Sequence, residues 1–188
     1  MTVVLVGMPG VGKSTVARQL AHSLGVPLWD SDSVIERRLG TSIREYFASQ
    51  GEVAFRDLEQ RVLDELMDGA PGVLATGGGV VLRAANRRCL HERGTVIYLR
   101  AAPEFLFRRL RHDTRRPLLQ VADPLARLKE LYAERDPLYR ESAHFVMDVL
   151  RSSRGLLIHR ILMQLELMPD ESGGVSVPYP DIHEDVAS

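Results

Sequence analysis

The stretch GMPGVGKS, residues 7–14, decides the fold because it matches the phosphate-binding pattern G-x-x-x-x-G-K-[ST] at every fixed position. It follows the apolar run Val3–Val6 directly and opens a helical pattern that ends at Gly25. Glycines let a backbone wrap a phosphate with its N–H groups turned inward, and the helix N-terminus adds the positive end of its dipole. Because strand, loop and helix occur in the required order, the stretch predicts a nucleoside triphosphate site rather than a plain glycine turn.

The residues of this loop have separate expected roles. Lys13 is expected to bridge the β- and γ-phosphates of ATP, and the Ser14 hydroxyl is expected to ligate Mg²⁺. The loop backbone and the first helical turn are expected to surround the phosphates. The predicted nucleotide-binding residues of the loop are Gly10, Val11, Gly12, Lys13, Ser14 and Thr15.

Apolar runs alternate with helical patterns along the rest of the chain. Further strands are predicted at residues 28–29, 73–75, 96–99 and 145–147. A helical pattern over 33–67 is interrupted near Gly40 and Gly51. This alternation predicts an α/β fold of three layers, a parallel sheet with helices on both faces, as in P-loop NTPases. We expect one domain over residues 1–168 and a disordered tail over 169–188, which is rich in Pro, Gly, Ser and acidic residues.

The composition argues against several classes of function. With a formal net charge of −1 over 188 residues, the chain has no general attraction for nucleic acid or for an anionic membrane. No apolar stretch approaches the ~20 residues of a membrane-spanning helix, and the early first strand leads us to expect no signal peptide. The single cysteine, Cys89, cannot form an intramolecular disulfide. We therefore expect a cytoplasmic protein, and we expect it to be a monomer.

Asp30 and Asp32 are the candidate acidic residues of the site. The chain lacks the N-K-x-D signature of guanine-binding switches, and the predicted strands at 73–75 and 96–99 do not end in the aspartate that many P-loop ATPases use for their metal. Both aspartates follow the second strand, and ligands of parallel sheets bind beyond the carboxyl ends of the strands. One carboxylate could hold the water shell of Mg²⁺ while the other receives a hydroxyl proton. The alternative for both Asp30 and Asp32 is helix capping, since Asp32 precedes the helical pattern that begins at Ser33.

Three consecutive glycines, Gly77, Gly78 and Gly79, close the third strand. A plain loop needs one or two glycines, so three in a row indicate that a ligand approaches the backbone closely. We therefore treat them as candidate substrate-binding residues.

Three arginines stand out by their settings. Arg56 lies one helical turn before Glu59, which is placed to orient it. Arg116 lies in an aperiodic segment, about residues 112–124, that we expect to form a mobile lid. Arg135 lies just before a proline that we expect to end its helix. Guanidinium groups grip carboxylates and phosphates through two parallel hydrogen bonds, so these side chains suit an anionic acceptor and the γ-phosphate.

Together these motifs resemble the shikimate kinase family. In the family's order, they are the phosphate loop, D-x-D from Asp30, F-R-x-x-E from Phe55, G-G-G from Gly77, R-P-L-L from Arg116 and R-x-P-L-Y from Arg135. The resemblance covers Gly7 to Tyr139 and implies an acceptor-binding region over about 31–62. It implies an enzyme that transfers the γ-phosphate of ATP to the 3-hydroxyl of shikimate, giving shikimate 3-phosphate for aromatic amino-acid biosynthesis.

The resemblance further implies a role for each candidate residue. Asp30 would help to hold Mg²⁺ through water, and Asp32 would contact the acceptor hydroxyls and serve as the base. Arg116 would reach the γ-phosphate, so the implied catalytic residues are Lys13, Asp32 and Arg116. Arg109 would lie near adenine. The implied acceptor-binding residues are Asp32, Arg56, Gly77, Gly78, Gly79 and Arg135.

Other interpretations stay open at this point. Another small-metabolite kinase, such as a gluconate kinase, or a nucleoside monophosphate kinase would share the phosphate loop and the fold. A non-catalytic module that binds nucleotide or shikimate would be expected to lose Lys13, Asp32 or Arg116, and the chain keeps all three. Two details are undecided: whether Arg115 or Arg116 is the lid arginine, and which residues near 150–155 complete the adenine pocket.

Overall fold

The computed structural model describes residues 1–110, 121–149 and 153–168. Within these ranges the chain forms five β-strands, seven α-helices and one short 3₁₀-helix. The strands are β1 (Val3–Val6), β2 (Leu28–Asp30), β3 (Val73–Ala75), β4 (Thr95–Arg100) and β5 (Phe145–Asp148). The helices are α1 (Lys13–Leu24), α2 (Ser31–Leu39), α3 (Ile43–Asp68), α4 (Ala84–Arg93), α5 (Pro103–Leu110), α6 (Pro124–Ser142) and α7 (Arg154–Glu166), and the 3₁₀-helix spans Val80–Leu82.

Some sequence predictions lie outside the described residues. They are Arg115 and Arg116 with most of the candidate lid, part of the region near 150–155, and the tail 169–188. No helix within the described ranges combines the length and the apolar character that a bilayer span requires.

All five strands run parallel in one sheet of order β2-β3-β1-β4-β5. In the central strand, Val4 stands opposite Leu74 on one side and Val96 on the other. All residues of β1 and β3 are buried, as expected for a parallel sheet between two helical layers. Helix α1 packs against β3 and α7, whereas α4 packs against β4, α3 and α6. The predicted α/β fold with helices around a parallel sheet is confirmed.

Both predicted interruptions of the long helical pattern are confirmed. Helix α2 ends at Leu39, where Gly40 adopts a left-handed conformation with φ 67°. Inside α3, Gly51 leaves helical geometry with φ 81° and ψ 175°, a conformation that other residues rarely adopt. The kink separates a short first arm of α3 from the longer part that carries Arg56 and Glu59.

Helix α6 contradicts the prediction that it ends at Pro137, because it continues through the proline to Ser142. A proline inside a helix removes a hydrogen bond and costs about 3 kcal/mol. Arg135 and Tyr139, on either side of the proline, are buried at 8% and 0% exposure. Tertiary packing of this part of α6 therefore offsets the cost of placing Pro137 inside a helix. The sequence pattern contains only that cost, and so it predicted that the helix would end there.

The start of α2 confirms the capping alternative for Asp30 and contradicts it for Asp32. The helix begins at Ser31, and its cap is Asp30, whose Oδ1 atom accepts a hydrogen bond from the Ser33 backbone N–H at 3.1 Å. Asp32 lies in the first turn and is therefore released from a capping role. The helix begins early because buried Ser31 is bonded to the loop after β3, where its Oγ atom accepts from the Gly77 N–H at 3.1 Å.

Candidate active site

The phosphate loop joins β1 to α1 and folds around its own lysine. Lys13 is buried, and its Nζ atom donates to the carbonyl oxygens of Gly7 at 2.8 Å and Met8 at 3.0 Å. Gly12 precedes α1 with φ 103°, a conformation that a side chain would strain. A cation and a helix N-terminus therefore lie together at the end of the central strand, where a triphosphate would be stabilised.

Arg109 of α5 lies against the same loop. Its Nη1 atom donates to the Val11 carbonyl oxygen at 3.3 Å, and its guanidinium carbon lies 5.7 Å from the centre of the Phe105 ring. The next residue, Leu110, leaves no room for a side chain on Gly10, since a Cβ atom there would come within 2.6 Å of the leucine. Helix α5 thus borders the phosphate loop and adds a positive charge to it.

Ser14 and Asp30 bring together the oxygen atoms of the predicted metal site. The Ser14 hydroxyl donates to Asp30 Oδ2 at 2.8 Å, while the other carboxylate oxygen of Asp30 accepts the cap hydrogen bond of α2. Among the described residues no group of three or more His, Cys, Asp or Glu side chains could hold a metal ion. One hydroxyl and one carboxylate suit Mg²⁺, which keeps several waters and takes further oxygens from phosphates. The residues present therefore fit the predicted ion.

Asp32 lies between the phosphate loop and the loop after β3. Burial raises the pKa of Asp32, the negative charge of Asp30 raises it further, and the charge of Lys13 opposes the rise. Its Oδ1 atom lies so close to Gly77 that a Cβ atom there would be 2.6 Å away. A carboxylate with a raised pKa is a stronger proton acceptor than an ordinary aspartate, which suits a general base.

Arg56 is held against the last glycine of the triplet. Its Nη1 atom donates to Glu59 Oε2 at 2.7 Å, and the two side chains are only 12% and 3% exposed. The guanidinium carbon lies 5.1 Å from the centre of the Phe55 ring. A Cβ atom on Gly79 would come within 2.6 Å of Arg56 Nη1, so the missing side chain makes room for the guanidinium. The predicted orientation of Arg56 by Glu59 is confirmed by this contact.

A second arginine, Arg135 of α6, shares the buried carboxylate. Burial raises the pKa of Glu59, and the charges of Arg56 and Arg135 oppose the rise. The Nε atoms of both arginines are buried and have no hydrogen-bond partner within the described ranges. Arg56 Nε also lies 3.5 Å from Oε1 of the exposed Glu52. Because buried polar donors require partners, two guanidinium groups whose Nε atoms lack hydrogen bonds favour an anionic ligand, and the planar groups match a carboxylate.

Gly78 ties the triplet to two other elements. A Cβ atom on Gly78 would come within 2.8 Å of Pro9 Cδ in the phosphate loop. On its other side, the Gly78 carbonyl oxygen accepts a hydrogen bond from the Tyr139 hydroxyl at 2.5 Å. The triplet therefore lies between the phosphate loop and α6, which places its backbone at the junction of the nucleotide and acceptor sides.

Residues 9–166 of this arrangement match the family model described as shikimate kinase. The chain belongs to the shikimate kinase family. It is 56% identical over 183 residues to a shikimate kinase of Paracidovorax citrulli, with 96% of this chain and 97% of that protein covered. A shikimate kinase of Ralstonia nicotianae is 51% identical over 176 residues, with 94% of this chain and 90% of that protein covered.

Solved structures show the same relationship in three dimensions. The structure of shikimate kinase from Acinetobacter baumannii in complex with shikimate matches with a TM-score of 0.84 at 44% identity, covering 88% of this chain and 92% of that chain. Shikimate kinase from Aquifex aeolicus matches with a TM-score of 0.78 at 32% identity, covering 88% of this chain and 96% of that chain. The family relationship therefore extends over nearly the whole described part of the chain.

The shikimate kinase motifs within the described ranges meet near the carboxyl ends of β1, β2 and β3. Each glycine of the triplet contacts a different predicted site element, namely Asp32, the phosphate loop or Arg56. Thr15 lies half-buried in the first turn of α1, beside the other loop residues. Of the predicted site residues, Arg116 lies outside the described ranges, so its role stays a prediction.

Two residues of the shikimate kinase site had no role in the sequence prediction. Ser31 bonds the Gly77 N–H, and Tyr139 bonds the Gly78 carbonyl, across sequence separations of 46 and 61 residues. A weak signal existed for each, since Ser31 lies between the two aspartates and Tyr139 ends the R-x-P-L-Y motif. The contacts themselves depend on the fold, and no local pattern reveals them.

Proposed function

We propose that the chain transfers the γ-phosphate of ATP to the 3-hydroxyl of shikimate, giving shikimate 3-phosphate, and that this reaction serves aromatic amino-acid biosynthesis. Membership of the shikimate kinase family supports this function, as do relatives that carry the same name over 96% of the chain. The solved structure of the Acinetobacter baumannii relative is a complex with shikimate, which supports the same acceptor here.

The observation that carries the proposal is the pair of arginines whose charges act on buried Glu59. Arg135 is buried and the Arg56 side chain is 12% exposed, and the Nε atoms of both lack a hydrogen-bond partner within the described ranges. Shikimate offers these donors its own carboxylate, which matches the fork of a guanidinium group. Gluconate also carries a carboxylate, whereas a nucleoside monophosphate would need the arginines to bind phosphate. The acceptor experiment below therefore includes both classes.

In this mechanism the arginine clamp orients the acceptor and Asp32 receives its proton. With the carboxylate held by Arg56 and Arg135, the hydroxyl groups of the ring lie toward Asp32 and the glycine triplet. The raised pKa of Asp32 makes it a stronger proton acceptor, and its deprotonated form is the active one. Such proton transfer contributes about 10²- to 10⁴-fold to a rate, which sets the scale for its removal.

On the nucleotide side, the loop backbone and Lys13 bind the phosphates. Lys13 would exchange its two carbonyl partners, Gly7 and Met8, for phosphate oxygens when ATP enters. Arg116 is proposed to reach the γ-phosphate, by the family resemblance. Ser14 and Asp30 would hold Mg²⁺, Asp30 through water, and the ion would neutralise charge on the β- and γ-phosphates. Arg109 is proposed to lie near the nucleotide, since it borders the phosphate loop.

We further propose that the protein acts alone, as a cytoplasmic monomer without nucleic-acid or membrane partners. The net charge of −1 supports the absence of general attraction to either surface. Size-exclusion chromatography with light scattering measures the oligomeric state, and a mass of two chains would overturn the monomer.

The direct test is ADP release by purified protein with ATP and Mg²⁺. Shikimate is compared with gluconate, quinate, AMP and no acceptor under the same conditions. We expect release that requires shikimate, with a product that gains one phosphate by mass spectrometry. ADP release that requires a different acceptor would contradict the proposed function, and so would the absence of ADP release from protein that binds ATP. Either result would leave only the family membership of the chain.

A further inference from the structure

Tyr139 of α6 connects that helix to the glycine triplet and has no role in the mechanism so far. Its side chain is 0% exposed, and its hydroxyl donates to the Gly78 carbonyl oxygen at 2.5 Å. It lies four residues after Arg135, so both side chains project from the same face of the helix. One helical face therefore carries an arginine of the clamp and the side chain that anchors the glycine triplet.

The hydroxyl of Tyr139 keeps its proton. Burial raises the pKa of Tyr139, and the charge of Arg135 opposes the rise. The protonated hydroxyl donates to the Gly78 carbonyl oxygen, and this contact ties the triplet to α6.

The bond to Tyr139 determines how the next peptide group faces. In a planar trans peptide, the carbonyl of Gly78 and the N–H of Gly79 point in opposite directions. With the carbonyl directed to Tyr139, the Gly79 N–H is directed away from α6. Within the described ranges neither the Gly78 nor the Gly79 N–H has a hydrogen-bond partner. A polar N–H held in a fixed direction beside Arg56 is a preorganised donor.

We propose that Tyr139 is a positioning residue, which holds the Gly78–Gly79 peptide so that the Gly79 N–H donates to the bound acceptor. This inference rests on the proposed function and names a further determinant of acceptor binding. Pro9 limits the loop on its other side, since a Cβ atom on Gly78 would come within 2.8 Å of Pro9 Cδ. With the tyrosine bond broken, the peptide is free to rotate, and the donor loses its fixed direction.

The test compares Tyr139→Phe with a matched control, Tyr98→Phe. Tyr98 is also 0% exposed, its ring centre lies 4.9 Å from that of Tyr139, and its hydroxyl donates to Asp136 at 2.8 Å. Each variant keeps its ring and loses one buried hydroxyl, but only Tyr139→Phe releases the triplet. We expect Tyr139→Phe to raise the KM for shikimate about five- to tenfold, with the KM for ATP within about twofold of the unmodified protein. Tyr98→Phe should leave both constants within about twofold.

The outcomes separate this inference from the proposed function. If the unmodified protein shows no shikimate-dependent ADP release, the proposed function fails. If it does and the two variants behave alike, the positioning role of Tyr139 is wrong. A double-mutant cycle with Arg135→Ala shows whether Tyr139 acts through Arg135. The increase in shikimate KM caused by Tyr139→Phe should persist in the Arg135→Ala background. If the increase disappears there, Tyr139 acts through Arg135, and its role in holding the Gly78–Gly79 peptide is overturned.

A measurement on the unmodified protein tests the same contact without relying on a variant that folds. Saturation with shikimate should shift the backbone amide proton of Gly79 in NMR spectra and slow its exchange with solvent. An unchanged Gly79 amide in protein that binds shikimate would overturn the proposal.

Discussion

Replacing Gly79 with alanine tests the packing of the acceptor clamp. Gly79 has φ −95° and ψ 1°, which alanine adopts without a left-handed conformation. The added Cβ atom, however, would lie 2.6 Å from Arg56 Nη1 and 2.8 Å from Arg56 Cζ. Ordinary contacts between such atoms are about 3.5–4.0 Å. The guanidinium group must therefore move by roughly 1 Å, away from the position in which we propose that it binds the acceptor.

The size of the effect follows from the hydrogen bond that this movement disturbs. Arg56 donates to Glu59 at 2.7 Å in a buried setting, and hydrogen bonds to charged groups contribute about 1.5–3 kcal/mol. The loss of a hydrogen bond between this guanidinium group and the acceptor carboxylate would cost a similar free energy of binding, about 1.5–3 kcal/mol. We therefore expect kcat/KM for shikimate to fall about 10- to 100-fold, since about 1.4 kcal/mol corresponds to a factor of ten.

Steady-state kinetics with shikimate varied at saturating ATP measure this change. Gly155→Ala is the matched control, because no neighbouring atom of the described residues lies within 4 Å of a Cβ built there, at the start of α7. Nucleotide binding by Gly79→Ala should stay unchanged, since the atoms nearest to the added Cβ all belong to Arg56. A kcat/KM for shikimate within about twofold of the control would refute the reasoning that the triplet makes room for Arg56.

Three further results are expected. Asp32→Asn should lower kcat for shikimate about 10²- to 10⁴-fold and leave ATP affinity unchanged; near-normal turnover would remove Asp32 as the base. Arg135→Ala should raise the KM for shikimate more than that for ATP, and an unchanged shikimate KM in steady-state assays would exclude it from the clamp. Burial lowers the pKa of His144, with the stacked His91 ring 4.3 Å away acting in the same direction, and its Nδ1 atom accepts from the Val96 N–H at 3.1 Å. As the pH falls, the His144 ring is therefore protonated in the unfolded chain before it is protonated in the folded protein. The free energy of unfolding should then fall as the pH drops from about 6.5 toward the lowered pKa of His144. Unfolding midpoints of His144→Gln should show a flatter pH dependence there, and an unchanged slope would exclude His144 as its source.

The sequence was sufficient for the parts of this protein that depend on neighbouring residues. The strand, glycine loop and helix around Lys13 form a local unit, so their pattern predicted both the fold class and the phosphate site. The breaks at Gly40 and Gly51 were equally local, because they reflect backbone conformations that glycine adopts most easily. Arg56 and Glu59 are one helical turn apart, and their contact could be predicted for the same reason.

Local reasoning failed where packing outweighed propensity. Pro137 should end a helix by its own chemistry, yet the buried residues around it keep α6 continuous. The start of α2 was predicted two residues late, at Ser33 instead of Ser31, because the bond between Ser31 and Gly77 joins residues far apart in the chain. Both errors come from tertiary contacts that the local pattern does not contain.

By itself, then, the sequence determined the α/β class, the phosphate loop, the paired aspartates and the residues that place the chain among shikimate kinases. Only the tertiary structure decided that the three glycines separately contact Asp32, Pro9 and Arg56, and that Tyr139 anchors the middle one. It also decided that the charges of Arg56 and Arg135, from different helices, act on the same buried carboxylate, Glu59. The physical reason is distance: backbone preferences act over a few residues, whereas these contacts form only when the parallel strands and α6 bring remote segments together.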